Sequence, residues 1–452
     1  GDKFARLMLY RGDMEAEWRS YAPDAREIAT AFAEGMNAFI TQAGEKGLPV
    51  EFQLLGFKPR PWRAEDVLPR MSGLIMSGNW QRELSRARLI AEVGVENARR
   101  LAPTEPPRDF ALDPLLDAEF FKADIGAAYG AATKAPAFKT SLHESNNWVA
   151  AGSLTASGKP MLAGDQHRTL ALPSLRYLVH LKAPGWNVIG SGEPALPGVA
   201  IGHNEHIAWA FTIVGTDQAD LFVEKTHPDD PRRYLAGEEW LHMDTREELF
   251  RVRGKTEPVK HELRFTRHGP VIYQDEKKHL AISLRWSGQE AGGAAYLGSL
   301  SVARAMDRGS FLKAMEAWKI PCLNFVFASV DGDTGWIAAA ATPVREGWDG
   351  LLPVPGWTNG CRWKGFLPVK DYPQQWQPAA GWIATANHNI LPPNYPHTIS
   401  YDWSPSFRYD RIRERIEQIP QSGRNLTLED FRSIQQDSPS TAARQLAGLW
   451  RD

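Results

Sequence analysis

The sequence predicts an α+β fold in which a mostly helical N-terminal portion precedes a strand-rich one. Three observations predict it. Apolar residues recur at helical spacing over the first hundred positions, and after Ser145 that spacing gives way to short apolar runs punctuated by glycine. Helical patterns then interrupt the strands, as SFLKAMEAWK from Ser310 and RYDRIRERIEQI from Arg408. In chain order, APDAREIATAFAEGMNAFITQAG sets Pro23 and Asp24 at a helix start and puts Ile28, Phe32, Met36, Phe39 and Ile40 on one stripe. SRARLIAEVGVENARRL is a second helix, and between the two lie an extended KPRPW and a helix entry at WRAEDVL. From Ala102 to Glu144 small and polar residues with poor periodicity read as a linker or exposed spacer. The expected division is 1–130 mostly helical, 131–144 spacer, and 145–452 strand-rich. In the last portion, ASGKP and DGDTG are hairpin turns, and WNVIGSG, HIAWAFTIVG, ADLFVEK and FVFASV are strands.

Composition narrows the class of protein. The 452 residues suffice for one large or two to three ordinary domains, and 43% hydrophobic with 23% charged residues is the balance of a globular chain. A formal charge of -2 gives no field to attract nucleic acid, and no apolar run is long enough to span a membrane. GDKFARLMLYRG at the start lacks the zones of a signal peptide. Cys322 and Cys361 either pair or stay apart, and neither sits in a metal-type cluster. The 17 Trp and 19 Phe fit core layers better than a ligand platform.

Motifs for common chemistries are missing. No serine sits in G-x-S-x-G, His261 in HELRF has no partner at the H-E-x-x-H spacing, and HNEH from His203 sits in a turn before a strand. No phosphate-binding or dinucleotide fingerprint appears, so an organic cofactor is not expected. What remains is Ser145, at the junction of spacer and strand. Taken alone it is a turn or cap residue; as a chain N-terminus it would carry its own base, because an α-amine has a pKa near 8 and can take the hydroxyl proton directly or through a water.

The words around Ser145 point the same way. SNNWVAAG, GDQH, PALPGVAIGHNEHIAWAFT, DQADLFVEK, TRHGPVI, LLPVPG and GWIATANHN, with FAEGMNAFI and LPVEFQLLGFKPRPW before the spacer, resemble the penicillin acylase family of N-terminal-nucleophile hydrolases over about Tyr21 to Ile412. The resemblance implies an αββα four-layer sandwich, a self-made cut between Glu144 and Ser145, and α and β chains of one precursor. It also implies a small-molecule N-acyl amide substrate, such as an acyl-homoserine lactone or a β-lactam side chain, and a periplasmic or secreted location. By the same resemblance a β-chain continues beyond Asp452, and earlier α-chain residues precede Gly1. A catalytically silent, uncut binding protein on the same fold is the rival reading.

Residue by residue, the resemblance makes Ser145 the nucleophile and His167, 22 positions on, its assistant, as in the acyl-homoserine-lactone and cephalosporin acylase branches. Ile213 would give its backbone N–H to the oxyanion, with Val214 taking over on a one-residue slip, and Asn387 its side-chain amide. Arg411 would orient the site near the serine amine. Glu83, Asp217 and Asp220 match carboxylates that hold one structural Ca²⁺, whose preference is for hard oxygen ligands. Arg168 stands where phenylacetyl-accepting relatives have an aromatic wall; it either recognises a polar or acidic acyl group or swings outward.

Overall fold

The computed structural model describes residues 1–77, 79–133, 144–168, 172 and 174–449. Most of the expected 131–144 spacer lies outside the described residues.

The first long helix runs Ala25–Gly47 from Asp24. Its most buried stripe is Ala25, Ala29 and Ala33, with Ile28 and Phe32 beside it, whereas Phe39 faces solvent. Small side chains win this face because they let the helix lie close against the body of the protein. Asp24 does not cap the helix with its side chain; both its oxygens accept from the Arg304 guanidinium at 2.8 Å. The second helix is broken in two at Gly94, at φ 78°, into Trp80–Val93 and Val95–Leu101. WRAEDVL forms only one short turn, Ala64–Val67.

The segment after Ala102 is not an exposed spacer up to residue 126. Phe110, Phe120, Phe121 and Ile125 are buried in the main core, and a short turn Ala118–Lys122 carries two of them. Small polar residues dominate the stretch, but these four apolar side chains decide where it lies.

The strands form layers. A three-stranded sheet has Glu144–Ala150 at its centre, flanked by Met161–His167 and Trp382–Thr385, all antiparallel. It stacks on a seven-stranded sheet centred on Leu323–Ser329 and Ile207–Ile213. Outside the small sheet lie helices Phe407–Gln421 and Leu428–Gln435, whose Ile412, Ile416, Ile419, Phe431 and Ile434 pack with Trp148, Ala150 and Ala384. Outside the large sheet, Phe311 of the Arg308–Ala314 helix meets Phe325 and Phe327. The order is therefore helix, sheet, sheet, helix, the four-layer sandwich that the family resemblance implies. A third, six-stranded sheet, Asp244–Phe250 through Val354–Pro355, extends the molecule on the side of the Ala219–Lys225 strand.

Between the two stacked sheets runs a buried polar network. The Thr385 hydroxyl donates to Asn147 at 2.5 Å and is 2.7 Å from the Thr212 hydroxyl; Asn324 donates to Thr212 at 3.1 Å and accepts from the Trp336 indole at 2.9 Å. A one-residue slip of any of these strands would turn its partner away and leave buried polar groups unpaired, so the network fixes register. The large aromatics serve the core, as expected: Trp80, Trp148, Trp209, Trp286, Trp318 and Trp336 are all fully buried. No disulfide joins Cys322 and Cys361.

Candidate active site

Ser145 is the second residue of the central strand of the small sheet and is 6% exposed. Side chains alternate along a strand, so Ser145 and Asn147 share the face toward the large sheet, while Glu144 and Asn146 share the face toward the helices. The Ser145 hydroxyl donates to the carbonyl oxygen of Glu144 at 2.5 Å. Its backbone N–H donates to Asn387 Oδ1 at 2.9 Å.

Asn387 follows the Trp382–Thr385 strand with a left-handed backbone, φ 64°, a conformation that asparagine tolerates better than most residues. The turn aims its amide across the sheet gap: Nδ2 donates to the carbonyl of Ile213 at 2.7 Å. Val214 N–H donates to Cys322 across the neighbouring ladder, 3.2 Å. Pairing alternates along an antiparallel ladder, so Ile213 turns its N–H and C=O to the opposite side, where Asn387 meets the carbonyl. Val214 is committed to the sheet, and Ile213 is the residue that lines the cavity with Ser145. Ser145, Ile213 and Asn387 are thus brought together.

The arginine at the serine is Arg408, three residues before the predicted Arg411. Its guanidinium donates to Ser145 O and Asn146 Oδ1, both at 2.7 Å, to Ala386 O at 2.9 Å and to Asn387 Oδ1 at 3.0 Å, and it pairs with the Glu144 carboxylate at 3.2 Å. Arg411 lies one turn further along the helix and is taken up by Asp437 and Glu414, each at 2.8 Å. The acidic residues of the following segment capture it, and the hydrogen bond from Arg411 holds Asp437 below the usual carboxylate range. Arg408 carries one sequence signal, its place in the first turn of the helix nearest the Asn387 turn.

His167 pairs in register with Glu144, not with Ser145. Alternation therefore puts its ring on the helix-facing side, 3.1 Å from Asp165 and 3.5 Å from Asn146 Nδ2. The ring's hydrogen-bond partners are thus Asp165 and Asn146 rather than the serine hydroxyl, although His167 and Ser145 line one cavity. Burial alone would raise Asp165, but hydrogen bonds from His167, Gln435 and Asn146 outweigh it and hold the carboxyl low. Gln166 is the residue opposite Ser145, and its amide donates to Phe211 O at 3.1 Å.

Ser145 opens onto a cavity of about 10 Å³, room for roughly one water. Its walls include Met76, Arg168, Arg176, Phe211 and Leu323. Arg168 turns inward and donates to Met76 Sδ at 3.3 Å. Arg176 pairs with Glu193 at 2.8 Å and lies over the rings of Phe211 and Tyr296. Burial, with Glu193 adding to it, pushes the Tyr296 hydroxyl up to about 12. Sequence patterns single out neither Arg176 nor Met76, since each sits in a segment without a chemical motif.

Glu83, Asp217 and Asp220 come together some way from the serine. Glu83 Oε2 accepts from Leu221 N–H at 3.1 Å across the boundary between the helical and strand-rich portions. The centre of the cluster, however, holds the guanidinium of Arg345, 2.9 Å from Asp220 and 3.0 Å from Asp217. Burial first, and then the two aspartates, push Glu83 well above the carboxylate range, and burial carries Asp217 up to about 7. Asp220 accepts further N–H groups from Trp348 at 3.3 Å and Trp363 at 2.6 Å. A calcium ion needs oxygens free to converge at about 2.3–2.6 Å, and oxygens already spent on indole and guanidinium N–H do not fit it.

The sequence pattern of the penicillin amidase family matches residues 1–451. An acyl-homoserine lactone acylase of Pseudomonas aeruginosa is 28% identical over 470 residues, covering 99% of this chain and 54% of that protein. A penicillin acylase 2 proenzyme of Pseudomonas sp. strain SE83 is 31% identical, covering 96% of this chain and 57% of its own length. Among solved structures, the thermostable penicillin G acylase of Alcaligenes faecalis superposes with a TM-score of 0.58 at 25% identity, over 64% of this chain and 51% of that one. The chain spans a little over half the length of the curated relatives it matches.

Proposed function

The chain belongs to the penicillin amidase family, and we propose that it forms part of an amidohydrolase that cleaves N-acyl amides through an acyl-enzyme on Ser145. The amides are of the acyl-homoserine lactone or β-lactam side-chain type, the substrates named in its relatives. The observation that carries this reading is the Ser145 hydroxyl held 2.5 Å from the carbonyl oxygen of Glu144. A hydroxyl so close to the preceding carbonyl is poised for an N-to-O acyl shift. Oγ attacks the Glu144 carbonyl carbon, the C–N bond breaks, and the serine nitrogen takes up the proton. Water then hydrolyses the ester, leaving a Glu144 carboxylate and a Ser145 α-amine.

That amine is the base of the second reaction. It takes the hydroxyl proton directly or through a water while Oγ attacks the substrate carbonyl. The oxyanion is met by Ile213 N–H and the Asn387 amide. The leaving amine departs with the proton, and water, activated by the same α-amine, releases the acid. Arg408 is the positioning residue: its bonds to Ser145 O and Asn387 Oδ1 support a fixed amine, and its nearby positive charge favours the unprotonated, basic form of that amine at neutral pH.

Intact-mass measurement of the protein tests the cut. Two species are expected, the second beginning SNNWVAAG, and a Ser145→Ala variant is expected to stay whole, folded and inactive. A wild-type chain uncut after long incubation favours the silent binding protein; activity in Ser145→Ala sinks the mechanism. Release of acid from aliphatic, aromatic and acidic acyl amides then identifies the acyl group.

A further inference from the structure

The arrangement of Glu83, Asp217 and Asp220 disagrees with the metal that the family resemblance implies. Two aspartates from the 217–220 turn and strand, and a glutamate from the Trp80–Val93 helix, are all more than nine-tenths buried. A cluster of this kind needs a cation. Arg345, on the Pro343–Glu346 strand, reaches it with Nε between both oxygens of Asp220, at 3.0 and 2.9 Å, and with Nη2 on Asp217, 3.0 Å from Oδ2 and 3.3 Å from the carbonyl.

The surroundings are shaped to this guanidinium. Trp363 and Trp348 direct their indole N–H groups at Asp220, so each of its oxygens meets an indole donor as well as Arg345. Gly350, at φ 84°, passes so close that a Cβ there would stand 2.7 Å from Asp217 Oδ2 and 2.8 Å from Arg345 Nε. Indoles donate and never ligate, so a pocket that turns two of them onto one carboxylate is built to receive an anion held by an arginine. Glu83 Oε1 is buried with no hydrogen-bond partner among the described residues.

We propose that Arg345 is the resident cation of this site, taking the place of a structural Ca²⁺, and that it fastens the helical portion to the strand-rich portion without metal. Glu83 and Arg86, one turn apart on the same helix, are the attachment: Glu83 holds Leu221 N–H beside Asp220, and Arg86 pairs with Asp402 at 2.5 Å. The cation balances the Asp220 carboxylate and bridges it to Asp217, so that this docking face stays closed.

Elemental analysis of the purified, desalted protein, paired with thermal unfolding in EDTA and in millimolar calcium chloride, tests the proposal. The wild type is expected to carry no stoichiometric calcium and to unfold at the same temperature in both buffers. Arg345→Ala is expected to unfold about 5 °C or more lower, because it strands buried carboxylates, and Arg345→Lys, which keeps a cation there, is expected to recover part of the loss. One calcium per wild-type chain, or a wild-type midpoint that EDTA lowers and calcium restores, overturns the proposal; so does an Arg345→Ala midpoint equal to that of the wild type. If Arg345→Ala does not fold, the wild-type metal content and its response to EDTA decide.

Discussion

Asn387 ties the two strands of the site together, since its oxygen takes the Ser145 N–H while its nitrogen reaches Ile213. Asn387→Ala is expected to lower kcat for amide hydrolysis by about 100- to 1000-fold, with a much smaller change in KM, as measured by steady-state kinetics of the cut protein. Its neighbour His388 titrates against the fold. The ring is buried, stacks on Tyr409 at 4.0 Å, and accepts the Ala386 N–H on Nδ1 at 3.4 Å. Burial, with Arg408 assisting and Asp410 opposing, lowers its pKa from 6.5 to about 4. A depressed histidine stabilises the fold fully above 6.5, and that contribution, about 3 kcal/mol, is lost as pH falls toward 4. Denaturant midpoints measured across that window are expected to fall, and His388→Phe, which keeps the stack and removes the titration, is expected to flatten the fall. The family resemblance points to Ser145 and Asn387 through the short words around them, but it leaves Ile213 and Val214 open, and the choice between those two is made by the strand ladder, which engages the Val214 N–H. Arg408 and Arg411 are not told apart, because both lie on one helix three residues apart and the choice between them is made by Asp437, a partner 26 residues on. The side on which His167 falls is set by its pairing with Glu144 rather than Ser145, which no local pattern announces.

At the level of elements, the Phe407–Gln421 helix does two jobs with two faces. Ile412, Ile416 and Ile419 cover the outside of the small sheet, and Arg408 at the helix start reaches over the sheet's end to the serine. The position of that arginine thus depends on the packing beneath it. Ile416, fully buried, is the centre of the contact. Ile416→Ala is expected to cost about 2–5 kcal/mol of unfolding free energy, read from urea midpoints at unchanged slope. Helices and strands of this kind are legible from periodicity, but their lengths are less so. Gly94 breaks one predicted helix, and Phe110, Phe120, Phe121 and Ile125 pull a nominal spacer into the core, because four well-placed apolar groups outweigh the polar composition of the stretch.

Across the whole molecule, the helical portion is sewn to the strands by buried polar contacts. Arg70 and Glu17 pair at 2.9 Å with neither side chain exposed, Glu17 also takes the Gly292 N–H at 2.7 Å, and the Tyr21 hydroxyl takes that of Ala294 at 2.8 Å. Salt screens exposed charges far more than buried ones. After a cut before Ser145, the two chains are therefore expected to elute together in size-exclusion chromatography even at about 1 M salt. The division into a helical and a strand-rich portion is legible in the change of periodicity, whereas the four-layer order is implied only by the family resemblance. The third sheet is not legible, because the strands from Asp244 to Trp286 are interleaved with turns and charged residues and pair only through their neighbours.

The contact between the Ser145 hydroxyl and the carbonyl before it also bears on timing under the proposed cut. Attacking group and target carbonyl belong to the same chain, so on that proposal maturation is expected to be a first-order event that each molecule completes alone. Its half-time is then expected to be independent of how dilute the protein is, with a batch folded together ripening along a single exponential.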